Sequence, residues 1–441
     1  MADPIAVLGG VCADVRPAVA ADAVLGMVPA AVAAPATVAE ASEVMRAATG
    51  HGLAILPRGT GTKLAWGTRP DRCDLVVDTT RLDRVIEHAA GDLVVRVEAG
   101  LTMARLAAEL GPAGQQLALD PPVSAAAVTA GQGAAGAGQG TVGGVIATGA
   151  AGPRRLRYGA PRDLLIGITV VLADGTVAAS GGKVVKNVAG YDLGKLFTGS
   201  FGTLGLIAEA AFRLHPLPQT TAYVTLTCST AADALAAVGA AVESQLVPSA
   251  AEIDRPEAGQ PVSVCLLFEG TAEAITERVA RMRDILGSGA QAGGAPPAWW
   301  GRSIAGADAT ALRIVFAPGA LPFVLDAVDQ AAVTAGIMGA GALRPAIRGS
   351  AGAGVLNAAL DPQTSPDAAA SFVAALRRRL AAPPKWGDVP GGSVTVVHAP
   401  TGIRDEVDAW GPVTAAELMQ AVKDQFDPDQ LMAPGRFAGG I

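Results

Sequence analysis

The sequence predicts an α+β protein built from two unlike domains, and three observations carry that expectation. Its 441 residues exceed what one ordinary domain holds. Between Val28 and Pro218, short apolar runs alternate with helical ones and are separated by turns rich in glycine. Beyond "LHPLP" (Leu214 to Pro218) the alternation continues without glycine-rich turns, which sets a boundary at the two prolines. The expected division is an N-terminal segment at 1–27, a first domain at 28–218, a second at 219–412 and a closing tail at 413–441.

Each element has a local reason. Thr37 with Glu40 three residues on forms a capping box that opens a helix, and Gly50 closes it. "LAILP" (Leu53 to Pro57), "LVVDT" (Leu75 to Thr79) and "DLVVRVEAG" (Asp92 to Gly100) read as strands. "TMARLAAELG" reads as a helix from Thr102 to Gly111. The run Leu165 to Gly182 is two strands turned at Asp174-Gly175. Residues 124–140, low in complexity and without large side chains, read as a surface loop. In the second domain "AYVTLTC", "VSVCLLFEG" and "ALRIVFAP" are strands, helices are expected over Ala231 to Glu243, Ala272 to Leu286 and Ala320 to Ala335, and Ser288 to Pro297 is a loop.

Composition narrows the function. Net charge is −7 with no basic tract, which argues against a nucleic-acid partner. The 50% hydrophobic share is carried largely by alanine, and no stretch offers the roughly 20 apolar residues of a spanning helix. With no basic leader at "MADPIAVLGG", a cytoplasmic location is expected. The four cysteines, Cys12, Cys73, Cys228 and Cys265, are scattered and form no cluster or zinc motif.

Three glycine clusters call for one ligand: Arg58 to Lys63 ("RGTGTK"), Gly140 to Gly149 ("GTVGGVIATG") and Phe201 to Ile207 ("FGTLGLI"). Backbone N–H groups unobstructed by Cβ form anion-binding concavities, and Thr60, Thr62, Thr141 and Thr148 add hydroxyls, with Arg58 and Lys63 as cations. Two nucleotide motifs nearly match. Gly190-Tyr-Asp-Leu-Gly194-Lys195-Leu196 lacks the spacing and the Ser or Thr of a Walker A loop. Gly138-Gln-Gly140-Thr-Val-Gly143 has the letters of a Rossmann fingerprint but neither a preceding strand nor room for a helix before Gly149, Gly152 and Pro153. An extended dinucleotide held by several loops fits instead.

"ILPRGTGTKL", "GTVGGVIATGAAGPRRLRYGAPRDLLIGITVVLADGTV", "GGKVVKNVAGYDLGKLFTGSFGTLGLI" and the closing "VKDQFDPDQLMAPGRF" resemble the vanillyl-alcohol-oxidase-type (PCMH) FAD-binding family. Within it the third stretch is most similar to FAD-binding subunits of bacterial glycolate oxidase (glycolate dehydrogenase) complexes. The resemblance covers Val28 to Leu217, then the tail, and the region between only in outline. It implies a two-part FAD domain followed by an α+β cap. It assigns Pro57, Arg58, Gly59, Thr60, Gly61, Thr62, Lys63 and Leu64 to a pyrophosphate loop. Thr141, Gly143, Gly144, Ala147, Thr148, Gly149 and Gly152 belong to a second loop, Tyr158 and Gly159 to a turn after it, and Gly202, Gly205 and Ile207 to backbone at the cofactor. Lys183, Lys186 and Asn187 are either flavin-edge polar groups or a loop anchoring a helix. Two departures stand out: Ala433 occupies a position where the family commonly has Asn, and residues 124–140 lengthen a loop beside the cofactor.

Oxidising a 2-hydroxy acid requires a cation for the carboxylate and a base or metal for the hydroxyl proton. His51, His88, His215 and His398 are far apart, so no metal is expected. His398 is the candidate base and Arg313, Arg344 and Arg348 the candidate clamp, against the plainer readings of a strand-end histidine and solvated arginines. Trp299-Trp300 reads as packing. Without a recognisable base–orienter pair or cluster motif, the expectation is an FAD subunit that passes electrons to partners and, alone, neither bleaches its flavin with glycolate or D-lactate nor reduces an acceptor. The resemblance names those partners as a catalytic flavoprotein and an iron–sulfur subunit, with peripheral inner-membrane placement through them. The alternatives are a self-sufficient dehydrogenase and a non-catalytic flavin carrier. The loop Pro57 to Gly67 holds neither His nor Cys, and Cys73 lies outside it, so the FAD is expected to be non-covalent.

Overall fold

A computed structural model of the chain describes residues 3–123, 140–182, 190–306, 308–336, 343–381 and 392–441. Its first part holds two sheets. In the smaller, Leu75–Asp78 runs parallel to both Ala31–Ala33 and Ile55–Arg58, and Val15–Pro17 pairs antiparallel at the edge. The helix Val38–Gly50 supplies the crossover between the parallel strands, with Val44, Met45 and Ala48 fully buried. Thr37 accepts the N–H of Glu40, but the Glu40 carboxylate reaches back to the N–H groups of Ala36 and Ala13, so the box is half as expected.

The second sheet is antiparallel, in the order Val85–Ala89, Val94–Glu98, Leu206–Arg213, Leu165–Val171, Val177–Gly181. The expected turn at Asp174-Gly175 joins its last two strands, with Gly175 at φ 83. The short helix Val142–Thr148 packs on Leu206–Arg213. This corrects the reading that no helix fits there: Thr141 caps it, accepting the Gly144 N–H at 3.2 Å, and Gly149 ends it at φ 60. Seven residues suffice because both ends are capped.

The second part is one eight-stranded antiparallel sheet. In spatial order its strands are Gln291–Gly293, Thr220–Cys228, Val262–Gly270, Ala250–Arg255, Ala346–Ser350, Val355–Leu360, Thr310–Val315 and Ser393–His398. The three expected helices form at Ala231–Glu243, Ala272–Leu286 and Leu321–Ala335, and a fourth at Pro366–Ala381 joins them in the core. The expected loop Ser288 to Pro297 contains the edge strand Gln291–Gly293, held by pairing to Tyr223–Thr225 rather than by its own propensity.

Side chains alternate across this sheet. Ile253, Ile347, Leu356, Leu312 and Ile314 enter the helical core. Their neighbours Asp254, Arg348, Asn357, Arg313 and Thr395 stand in one cross-strand row on the other face, register partner to register partner. That face meets the first part of the chain.

The tail returns to the first part. After the helix Ala416–Phe426, Leu431 O accepts the Ile55 N–H and Ala433 N–H donates to Ile55 O, at 2.7 and 2.8 Å. Fully buried Lys423 anchors it, bonding Asp427, Thr203 O and Met432 O. Ala433 takes φ 43, a left-handed conformation in which Asn is at home and Ala is strained.

Candidate active site

All three glycine clusters and the tail close around a narrow cleft of about 80 Å³. Pro57 to Leu64, Thr141, Gly144, Ala147, Thr148, Phe201, Gly202 and Arg436 line it. The glycines differ in what they do. A Cβ on Gly144 would project into the cleft, with Thr141 Oγ1 at 3.2 Å its nearest neighbour. A Cβ on Gly59 would strike Thr141 Oγ1 at 2.2 Å, so Gly59 lets the two loops touch. Gly202, at φ 79, needs a backbone that L residues avoid and lies against Pro57.

Several other residues assigned to the cofactor do not line this cleft. Gly143 is turned onto Ala99, where a Cβ would lie at 2.8 Å. Gly205 abuts Val171 O, and Ile207 is buried in the antiparallel sheet's core. Tyr158 donates to Glu269 of the second part and packs on His215, while Gly159 sits against Asp163. Lys183, Lys186 and Asn187 lie outside the described residues.

The cations of the cleft also sort themselves. Arg58 is committed to Asp22 at 2.9 Å and Asp78 at 2.7 Å. Burial brings the Lys63 ammonium down to about 8. Arg436, which the sequence reading missed, is 4% exposed; its Nη2 donates to Leu64 O at 2.8 Å and its Nη1 has no partner. Burial lowers its pKa to about 10. A buried guanidinium with an idle donor, beside open backbone, calls for an anion. A diphosphate fits that donor set. Lys195 is exposed and paired with Asp192, which removes the Walker reading.

Thr62 also borders a second, larger cavity of about 370 Å³ between the two parts of the chain. Here the structure gathers residues that the sequence left scattered: Gly152, Arg155, Glu252, Arg313, Arg348 and His398. Gly152 allows the close approach of Asp120, whose carbonyl would lie 1.9 Å from a Cβ. Arg313 stands 5.3 Å from the Trp66 ring centre and has no acidic partner among the described residues. Its pKa falls to about 10, chiefly through burial and further through the charge of Arg155. Arg348 is paired with Asp254 at 2.7 Å. Arg344 pairs with Glu257 at the surface and takes no part. Trp299 joins the chamber wall, whereas Trp300 packs edge-on against Tyr223.

His398, the candidate base, has an orienting contact that the sequence does not reveal. His398 Nδ1 lies 2.9 Å from Ala309 O; a carbonyl only accepts, so Nδ1 carries the proton and Nε2 keeps its lone pair. Burial lowers the His398 pKa below its usual range, which keeps the ring neutral at pH 7. Burial raises the Glu252 carboxyl to about 8 against the opposing contact with its register partner Ser350, and the buried Oε1 of Glu252 has no hydrogen-bond partner. No metal-ligating group of His, Cys, Asp or Glu occurs among the described residues. No described helix is long and apolar enough to cross a membrane.

Because Glu252 is protonated in the fold up to about pH 8 yet ionised above about pH 4.5 when unfolded, it should make stability decline as pH rises between those values. Glu252→Gln should flatten that slope in denaturant titrations at pH 5, 6.5 and 8. An unchanged slope would show that the group is ionised in the fold.

Residues 29–181 match a family described as "FAD binding domain". A glycolate oxidase subunit of Bacillus subtilis is 34% identical over 232 residues, covering 52% of this chain and 46% of that protein. A probable mitochondrial D-lactate dehydrogenase of Danio rerio is 28% identical over 92% of this chain and 84% of its own. The aligned part of this chain thus spans about half the length of the first of these relatives. The fold is that of p-cresol methylhydroxylase, with a TM-score of 0.67 at 18% identity over 98% of this chain and 95% of that one. The loops Pro57 to Leu64 and Thr141 to Thr148 of the glycine-lined cleft therefore lie within an FAD-binding domain of the PCMH type, with FAD as its cofactor.

Proposed function

We propose that the chain is an FAD-dependent dehydrogenase subunit that oxidises a small 2-hydroxy acid in its own chamber and delivers the electrons to partner subunits. The observation that carries this is the adjacency of the anion-seeking cleft to a chamber holding an unpaired arginine and a neutral, oriented imidazole. The likeness to glycolate oxidase and D-lactate dehydrogenase proteins supports the substrate class.

Arg436, Lys63 and the backbone around Gly144 hold the diphosphate. When bound, the flavin would supply the acceptor for one hydride, which carries both electrons of the oxidation. Arg313 grips the substrate carboxylate by paired N–H donors. His398 Nε2 takes the hydroxyl proton as the Cα hydrogen departs with its electron pair, and the product is a 2-keto acid. The seam between the two parts limits water at the reacting carbon. The four cysteines are buried and separate and offer no cluster of their own, so the flavin's electrons pass to oxygen, a quinone or another subunit, and the likeness to a glycolate oxidase subunit favours the last. We assign the receiving subunits to the flavoprotein and iron–sulfur partners that the resemblance implies, and place the assembly in the cytoplasm at the inner membrane.

Reconstitution tests the delivery step. Adding both partners to the FAD-loaded chain should raise steady-state reduction of an acceptor by more than about tenfold; unchanged turnover would favour a self-sufficient dehydrogenase. The proton step has its own signature. A base must be unprotonated, so kcat/KM should fall only below the usual histidine pKa, and His398→Gln should remove that acid limb along with about 10²- to 10⁴-fold of the rate. A limb at pH 7.5 or above would discard His398. The cleft holds neither His nor Cys, and burial raises the Cys73 thiol to about 12, so the cofactor should be released by acid. Flavin fluorescence staying with the denatured protein on a gel would contradict this.

A further inference from the structure

We infer that the chamber is built for a 2-hydroxy acid with a second carboxylate, gripped at its far end by Arg155. This rests on the proposed oxidation and extends it to the substrate's other end. The charged and titratable groups lining the chamber are Arg155, Glu252, Arg302, Arg313, Arg348 and His398. Arg348 is neutralised by Asp254, and Arg302 is exposed at the rim. Burial holds the Glu252 carboxyl near 8 and His398 neutral, and no ion pair joins Glu252 to Arg155 or Arg313 among the described residues.

Arg155 and Arg313 remain, two inward cations with no ion-pair partner among the described residues. Asp163 and Asp120 act on the Arg155 charge without forming an ion pair with it, and Asp163 accepts the Ala160 N–H. Asp120 accepts from the Arg154 N–H, and burial raises its pKa to about 7. Residues outside the description contain a single acid, Asp388. One monocarboxylate would pair with one of these half-buried guanidinium groups and leave the other without a direct anionic partner, which is costly in a desolvated chamber.

The two cations also belong to different ends of the chamber. Arg155 lies on the turn Arg155–Tyr158, which packs on the strand Ala250–Arg255 near Glu252. Arg313 is three strands away in the same sheet, with Ala346–Ser350 and Val355–Leu360 between. At the usual spacing between strands that is about 14 Å from backbone to backbone. Arginines reaching inward from those ends leave the span of a short dicarboxylate. Ser350 and Glu252 are register partners at the Arg155 end, where the Ser350 hydroxyl is a further donor to a carboxylate.

The test uses the FAD-loaded chain and acids that cannot be oxidised. Succinate and glutarate, titrated by their shift of the oxidised-flavin spectrum, should bind at least tenfold more tightly than acetate or propionate. Arg155→Met and Arg313→Met should each erase that advantage, and Arg155→Lys should restore part of it. Melting temperature and flavin content confirm that each variant is folded. Equal binding of mono- and dicarboxylates, or an advantage that survives Arg155→Met, overturns the inference. The oxidation reading is scored separately with malate, 2-hydroxyglutarate, glycolate and lactate under anaerobic conditions. Tight succinate binding with no flavin reduction by any of them rejects oxidation and keeps the two-arginine site. Reduction by glycolate with no dicarboxylate preference does the reverse.

Discussion

Replacing Gly144 with valine is expected to strip the protein of FAD while leaving it folded. Gly144 has no left-handed backbone, so valine meets no conformational penalty of that kind, and its nearest obstacle is the Thr141 hydroxyl at 3.2 Å. The branched side chain instead fills space in the cleft where backbone and ligand must approach. Overpacking a fitted site costs about 1–3 kcal/mol, or roughly 5- to 150-fold in affinity. Lys195→Ala is the control: its exposed ion pair with Asp192 is far less consequential, and flavin content should not change. Flavin-to-protein absorbance ratios after gel filtration decide it. Full occupancy in folded Gly144→Val, with loss in Lys195→Ala, would return the phosphate site to the Gly190–Lys195 segment.

The second large effect is expected at Arg313. Arg313→Met keeps much of the side chain's volume against Trp66 and removes the charge. Losing one partner of a buried charge pair costs about 2–5 kcal/mol, so the second-order rate of flavin reduction should fall by roughly 30- to 4000-fold. Most of the loss should appear as weaker substrate binding if the contact is equal in ground and transition states. Arg344→Met, at the surface with Glu257, should change nothing. Equal rates in the two variants would remove Arg313 from the site.

The FAD half was legible because its signals are local. A glycine that must leave room for a ligand or a turn is written at its own position, and Thr37, Thr102 and Thr141 announce helices within three residues. Gly143 and Ile207 show the limit of such reading: a glycine or an apolar residue in a binding stretch also serves packing, and only the structure shows which. The chamber was illegible for the opposite reason. Its residues come from five strands and a turn, and the register of an eight-stranded sheet sets their meeting. A faint signal did exist. Arg313 interrupts "LRI", Arg348 follows Ile347, and Glu252 and Asp254 alternate with Ala251 and Ile253, a charged period of two in strands otherwise apolar. Arg436 carried no pattern at all; its place depends on the tail bonding to Ile55.

Anaerobic rapid mixing of the FAD-loaded chain, without partners, against a 2-hydroxy acid tests the central claim most directly. The account predicts a single turnover: oxidised-flavin absorbance is lost in proportion to the enzyme, with one 2-keto acid formed per flavin. The loss should be slowed by Arg313→Met and, below neutral pH, by protonation of His398. Flavin that stays fully oxidised with glycolate, D-lactate, malate and 2-hydroxyglutarate alike, in protein shown to be loaded with FAD, would contradict it and leave the chain a carrier whose substrate is handled elsewhere.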